Sequence, residues 1–320
     1  MQMQTLSRRE AIARTGLTVG AALGGASSLA APAPASPPAP SAEGSFTYCF
    51  NTSTILGQKV GLAKEVELAA QAGYQAVEPW VSAIEQFVKD GGSLADLNKR
   101  VRDLGLTVES AIGFSQWLVD DDAKRAQGLE QIKRQMDMIA QLGGKRLAAP
   151  PAGATDTPGL DLMKAAERYR ALLELGDQMG VVPQLELWGG SKNLNRLGAC
   201  AFVALECGHP KACVLADVFH IYKGGSDFTG LRLFSSQALQ VFHVNDYPSD
   251  PPRDKINDSY RVFPGDGVAP LTQILRDLRA TGGTKVLSLE LFSRKYWEQD
   301  PLEVAKTGLA KLKAAVAKAS

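Results

Sequence analysis

The chain has 320 residues, 45% of them hydrophobic and 22% charged, which is ample apolar material for a large buried core. Thirty-five basic residues balance 34 acidic ones to a net charge of +1, which excludes a broad basic surface for nucleic acid and an acidic tail. Four cysteines are too few for a disulfide framework, so the core must hold the fold.

Residues 1–45 differ in composition from everything after them. Ser7-Arg8-Arg9-Glu10 precedes a weakly apolar run from Ile12 to Ala31, and a Pro/Ala/Ser tract follows to Ser41. This order resembles a twin-arginine export signal, with small residues for cleavage after Ala30, Ala33 or Ala35. The glycines and hydroxyl residues in the run make it a poor membrane span. The resemblance therefore implies an exported, periplasmic product with no stable membrane anchor. In an oxidising compartment, Cys200 and Cys207 on one helix are about 10 Å apart and cannot bridge. Cys207 with Cys213 is one arrangement, and buried free thiols are the other.

From Phe46 onward, short β-type runs alternate with longer amphipathic stretches. Strands are predicted at Phe46–Asn51, Ala76–Trp80, Thr107–Ile112, Arg146–Pro150, Val182–Trp188, Cys213–Asp217, Gln240–Asn245 and Val286–Phe292. Helices are predicted near Lys59–Ala72, Leu94–Leu104, Ala123–Leu142, Leu160–Met179, Leu194–Glu206, Leu231–Gln237, Leu271–Thr281 and Pro301–Ala317. Gly73, Gly105, Gly143, Gly180 and Gly208 follow helix ends, where a left-handed cap is wanted. The pattern predicts an α/β fold, a single-domain (β/α)8 TIM barrel over residues 46–320. A doubly wound sheet would call for a glycine-rich phosphate turn after the first strand, and Asn51-Thr-Ser-Thr-Ile-Leu-Gly is not one.

In a parallel barrel the C-terminal strand ends line one mouth, where chemistry is built. Four consecutive strands place an ionisable residue near that end: Glu186, Asp217, His243 and Glu290. Each has a bland reading alone: a glutamate paired with Arg or Lys, a helix-capping aspartate, a hydrogen-bonded core histidine. Together they converge on the barrel axis, where three carboxylates repel one another unless a cation intervenes. Three oxygens and one imidazole suit a single divalent ion, Mn²⁺ foremost, or Mg²⁺, Co²⁺ or Zn²⁺.

The order of these residues resembles the xylose-isomerase-like superfamily of sugar isomerases and epimerases. The matching motifs are Asp217-x-x-His220, His243-x-x-Asp246 followed by Arg261 and Pro264-Gly-Asp-Gly267, and the late Glu290. The resemblance implies Glu186, Asp217, His243 and Glu290 as metal ligands, with Glu186 and Glu290 as the acid/base pair. It also implies that His220 and Arg261 contact substrate oxygens, and Asp246 joins this substrate-binding set. A divalent ion chelating a carbonyl and a neighbouring hydroxyl acidifies the intervening C–H and stabilises a cis-enediolate. Two carboxylates on opposite sides of a sugar then isomerise or epimerise it.

Ketohexose 3-epimerases of the superfamily carry a further glutamate shortly after the strand-five ligand; here Leu187–Asn193 has no carboxylate, and Lys192 offers a different contact. The superfamily's nucleases hold three metals with many histidines, whereas this chain has three histidines in all. Trp80, Trp117 and Trp188 at or after strand ends, with Phe292 beside Glu290, are candidate stacking surfaces for a sugar ring. Glu78 and Glu109 could contact hydroxyls or form local ion pairs. The loop Pro248–Arg261 reads equally as a lid and as a solvated surface loop.

The expected function is isomerisation or epimerisation of an unphosphorylated sugar or keto-sugar. A metal-dependent lyase or dehydratase of a 3-keto-glycoside or keto-inositol is the chemical neighbour, and a non-catalytic sugar-binding barrel is the third reading. The expected partner is a small carbohydrate. A homo-oligomer is compatible with the resemblance, although no residue pattern marks an interface.

Overall fold

A computed structural model describes residues 44–320 of the chain. The expected export signal and linker, residues 1–45, lie outside the described residues except for the last two, and Ser45 already belongs to the first strand. The strands are β1 Ser45–Asn51, β2 Ala76–Glu78, β3 Thr107–Val108, β4 Arg146–Ala149, β5 Val182–Glu186, β6 Val214–Asp217, β7 Val241–Val244 and β8 Thr284–Leu289. They pair in parallel in the order β3-β2-β1-β8-β7-β6-β5-β4. Ala111 joins the two outer strands: its N–H donates to Arg146 O at 3.1 Å, and its carbonyl accepts from Ala148 N at 2.9 Å. The sheet is thus curled into a single-domain TIM barrel.

The helices are α1 Leu62–Ala72, α2 Val81–Lys89, α3 Leu94–Asp103, α4 Asp122–Gln141, α5 Leu162–Met179, α6 Leu197–Glu206, α7 Val218–Gly224, α8 Leu271–Ala280, α9 Arg294–Trp297 and α10 Pro301–Lys318. Gly73 and Gly180 close α1 and α5 with φ of 92° and 71°, the left-handed geometry that glycine adopts without strain. The helix expected at Leu231–Gln237 is instead a 3₁₀ turn over Phe228–Leu233. Leu231 is its one buried residue and Leu233 is 90% exposed, so no continuous apolar stripe draws that segment onto the barrel. The short helix after β6 begins at once, because Asp217 accepts from His220 N at 2.8 Å and caps it. Among the described residues no helix is long and apolar enough to cross a membrane. All four cysteines are buried and free.

The strand period of two sorts the lumen into layers. Cys49, Ala76, Ala148, Leu215, Val241 and Val286 form an apolar plug separate from the main core between sheet and helices. Two residues further along their strands stand Asn51, Glu78, Asp217, His243 and Ser288, all buried. Register places Asn51 beside Glu78, and His243 between Asp217 and Ser288. The polar layer therefore rests on a packed floor.

Candidate active site

Asp217, His243 and Glu290 each offer a ligand atom, and these atoms lie within 4.8 Å of one another. His243 Nδ1 faces Glu290 Oε2 at 3.1 Å and Asp217 Oδ2 at 3.7 Å. Glu186, named from the sequence as a fourth ligand, stands outside this set. It nevertheless lines the same mouth, and its buried Oε2 has no hydrogen-bond partner among the described residues. An orphaned carboxylate oxygen lining the mouth has the character of an unfilled ligand position.

Two bland readings hold at the same time as the clustering. Asp217 caps α7 through Oδ1, while Oδ2 accepts from Arg261 Nη1 at 2.7 Å and Asn245 Nδ2 at 3.0 Å. Glu290 Oε2 accepts from the same Arg261 nitrogen at 2.8 Å. Arg261 is fully buried, lies over the Phe219 and Phe292 rings, and is clamped from behind by Asp258. It thus shares the oxygens that would hold an ion. A carboxylate oxygen has lone pairs for both a guanidinium and a cation, so the two are compatible. Three buried carboxyl groups (Glu78, Asp217 and Glu290) contact one guanidinium and one imidazole, and Glu186 is buried nearby, a crowding of acid that a divalent ion offsets. The residues present therefore fit a divalent metal.

The environments of the acidic groups differ. Burial pushes the Glu186 carboxyl up to about 8; the nearby His243 opposes this and Glu290 adds to it. Burial also acts on Glu290, but His243 and Arg261 outweigh it and hold Glu290 below the ordinary carboxylate value. Burial would lower His243, yet Glu290 and Glu78 raise it well above its ordinary value. His220 is lowered by burial, and its Nε2 lies 3.2 Å from Arg261 Nη2.

The mouth is a cavity of about 380 Å³. His220, Arg261, Trp80 and Trp188 line it, as the sequence suggested, together with Phe292. Phe114 joins them: its ring lies 5.1 Å from Trp80 and 5.8 Å from Trp188, and Trp80 lies 5.8 Å from Phe292. These four rings make one continuous aromatic wall of the cavity. Phe114 is 42% exposed, an unusual position for a phenylalanine, but the sequence pattern around it carries no periodic signal to single it out.

Three residues assigned to the mouth from the sequence do not line it. Trp117 is 1% exposed, donates Nε1–H to Pro150 O at 2.8 Å and packs on Tyr169 in the core, because the chain after β3 turns inward there. Lys192 is exposed and does not line the cavity; only its backbone is tied down, to Thr155 O. Asp246 accepts from the backbone N–H groups of Tyr247, Gly265 and Ala269, and so holds the Pro264–Ala269 loop beside a different cavity. Glu109 is tied to Lys145 and Arg146, the local ion pair. Glu78 behaves otherwise and enters the cluster: its Oε2 lies 3.0 Å from His243 Nε2. Asn51 had not been singled out. The two-residue strand period above Cys49 is the signal that finds it.

An inosose isomerase of Bacillus velezensis is 27% identical over 278 residues, covering 84% of this chain and 97% of that protein. A 3-dehydro-D-guloside 4-epimerase of Escherichia coli is 24% identical over 239 residues, 69% of this chain and 84% of that protein. The crystal structure of the IolI protein with a bound zinc atom superposes with a TM-score of 0.79 at 22% identity, covering 86% of this chain and 99% of that one. The family model for xylose isomerase-like TIM barrels matches residues 66–315, and the chain belongs to that family.

Proposed function

We propose that this protein is a divalent-metal-dependent isomerase or epimerase of an unphosphorylated sugar or keto-sugar, exported by the twin-arginine route. One observation carries the reading: Asp217, His243 and Glu290 gather their ligand atoms, and Glu290 lines a cavity walled by Trp80, Phe114, Trp188 and Phe292. Asp217, His243 and Glu290 hold the ion, and Glu186 completes the set. The oxygen-rich donor set favours Mn²⁺ among the candidates, with Zn²⁺ as found in the IolI structure the other strong choice. When bound, the ion supplies Lewis acidity that acidifies the C–H beside a substrate carbonyl.

The protein's own groups supply the rest. Glu186 and Glu290, both lining the cavity, are the acid/base pair: one takes the proton from carbon and the other returns one. His220, neutral, and Arg261 orient substrate oxygens and stabilise charge that develops on them. The aromatic wall takes the C–H face of the ring. Among the described residues Arg261 is the one cationic side chain lining the cavity, and it is engaged by Asp217, Glu290 and Asp258, which favours an uncharged sugar over a sugar phosphate.

The test is C–H exchange in D₂O, followed by NMR, with inososes and 3-keto-glycosides in the presence of Mn²⁺. Deuterium entry beside the carbonyl, abolished by chelation and by Glu186→Gln or Glu290→Gln in folded protein, supports the reading. Release of an aglycone moves the assignment from isomerase to lyase. No exchange with any divalent ion overturns it.

A further inference from the structure

His243 is held from both sides, and the second side has no role yet. Glu78 is fully buried, and its Oε2 receives His243 Nε2 at 3.0 Å, Ser288 Oγ at 2.6 Å and Asn51 Nδ2 at 3.0 Å. That oxygen already accepts from Ser288 Oγ and Asn51 Nδ2, so it stands as an acceptor and the ring nitrogen facing it carries the hydrogen. That leaves Nδ1 as the nitrogen turned toward Asp217 and Glu290.

Asn51 extends the arrangement. Its Nδ2 donates to Glu78 Oε2 at 3.0 Å and to Glu290 Oε1 at 3.2 Å, and its Oδ1 accepts from Ser53 N at 3.0 Å and Trp80 Nε1 at 3.2 Å. All four hydrogen-bonding capacities of the amide are used. A flipped amide would set its NH₂ against two donors and its oxygen against two carboxylates, so the orientation is unique. The same side chain thus ties the carboxylate behind His243 to a second ligand of the cluster and to the aromatic wall.

The geometry points to Glu78 and Asn51 as positioning residues for the metal centre: Glu78 fixes the His243 ring so that Nδ1 is the ligating atom, and Asn51 locks Glu78 and Glu290 into one frame. The inference rests on the metal-centre reading above and adds residues outside the ligand set. Packing alone does not call for a carboxylate at this place, since the lumen one step below is filled by Cys49, Ala76, Val241 and Val286. A buried acid there costs desolvation that an apolar residue avoids. Metal-bound imidazoles characteristically donate their other N–H to a carboxylate, and loss of that partner weakens metal affinity about 10- to 100-fold.

The experiment uses Zn²⁺ as a diamagnetic probe on the ¹⁵N-labelled protein. Long-range ¹H–¹⁵N correlations of the three histidines report the His243 tautomer directly, and chelator competition gives the Zn²⁺ dissociation constant of each variant. The expected result is Zn²⁺ on Nδ1 with hydrogen on Nε2. Glu78→Ala should bind Zn²⁺ about 10- to 100-fold more weakly, and Glu78→Gln, which keeps a carbonyl acceptor, should recover part of that loss. Zn²⁺ on Nε2, or folded Glu78→Ala with wild-type affinity, overturns the inference and leaves the metal centre standing. If Glu78→Ala does not fold, the wild-type tautomer alone decides. Wild-type protein that takes up no Zn²⁺ overturns both this inference and the proposed function.

Discussion

Arg261 Nη1 lies 2.7 Å from Asp217 Oδ2 and 2.8 Å from Glu290 Oε2, so one guanidinium nitrogen bridges two of the three side chains whose ligand atoms cluster. On the proposed reading Arg261 and a bound ion neutralise the same carboxylates. Replacing Arg261 with methionine removes the protein's own counter-ion and leaves buried acid uncompensated, a cost of about 3–5 kcal/mol. Added Mn²⁺ should return part of that loss. Calorimetric unfolding with and without Mn²⁺ should show a wider gap between the two forms in Arg261→Met than in wild type; an unchanged gap contradicts the shared-carboxylate account.

Metal uptake should depend on pH, and the sign is fixed. Glu186 at about 8 and His243, raised well above its ordinary value, both hold protons at pH 7 in the metal-free protein. Binding needs both groups deprotonated, so affinity rises with pH and protons are released. Titration calorimetry in buffers of different ionisation heat should report roughly one to two protons released per ion at pH 7. Affinity that is flat from pH 6 to about 8.5 argues against ligation by these groups.

Glu65 in α1 gives a stability prediction independent of the site. It is buried, Oε2 has no hydrogen-bond partner among the described residues, and burial pushes its carboxyl up to about 7. Below the unfolded value of about 4.5 both states are protonated and stability is unaffected. As pH rises toward 7 the unfolded chain ionises first, and up to about 3 kcal/mol of stability is lost. Glu65→Gln should therefore gain on wild type between pH 5 and pH 8 in denaturant unfolding. A constant difference across that range would show that Glu65 titrates normally.

The aromatic wall and the core tryptophan should separate cleanly. Phe114→Ala and Trp188→Ala each remove about 1–2 kcal/mol of apolar contact with a bound ring. Substrate KM should rise about five- to thirtyfold, with kcat and melting temperature little changed. Trp117→Ala should instead cost about 3–5 kcal/mol of stability and leave KM near wild type. If Trp117→Ala shifts KM and the two wall variants do not, the placement of the sugar is wrong.

The sequence made the barrel legible because strand and helix periods alternate eight times, and it made Asp217, His243, Glu290 and Glu186 legible as charges inside apolar runs. It was misleading where sequence position stands in for direction. Trp117, Asp246 and Lys192 lie close to strand ends in the chain, yet core packing, loop bonding and solvent claim their side chains. Asn51 and Phe114 were hidden for the opposite reason: an uncharged amide at the end of β1 and a phenylalanine in a loop look ordinary until neighbouring strands bring Glu78, Trp80 and Glu290 against them. The α2 and α7 helices were missed because each is short and buries few residues. The cap that starts α7, Asp217 to His220 N, belongs to a residue already assigned to chemistry.

The most direct measurement is a crystal structure of the protein grown with Mn²⁺, with anomalous scattering recorded above the manganese edge. One ion bonded to Asp217, His243 Nδ1, Glu290 and Glu186, with Arg261 still within reach of the carboxylates, is the predicted result. A map without anomalous density at saturating Mn²⁺, with Arg261 alone joining Asp217 to Glu290, would contradict the metal centre and with it the proton-transfer chemistry.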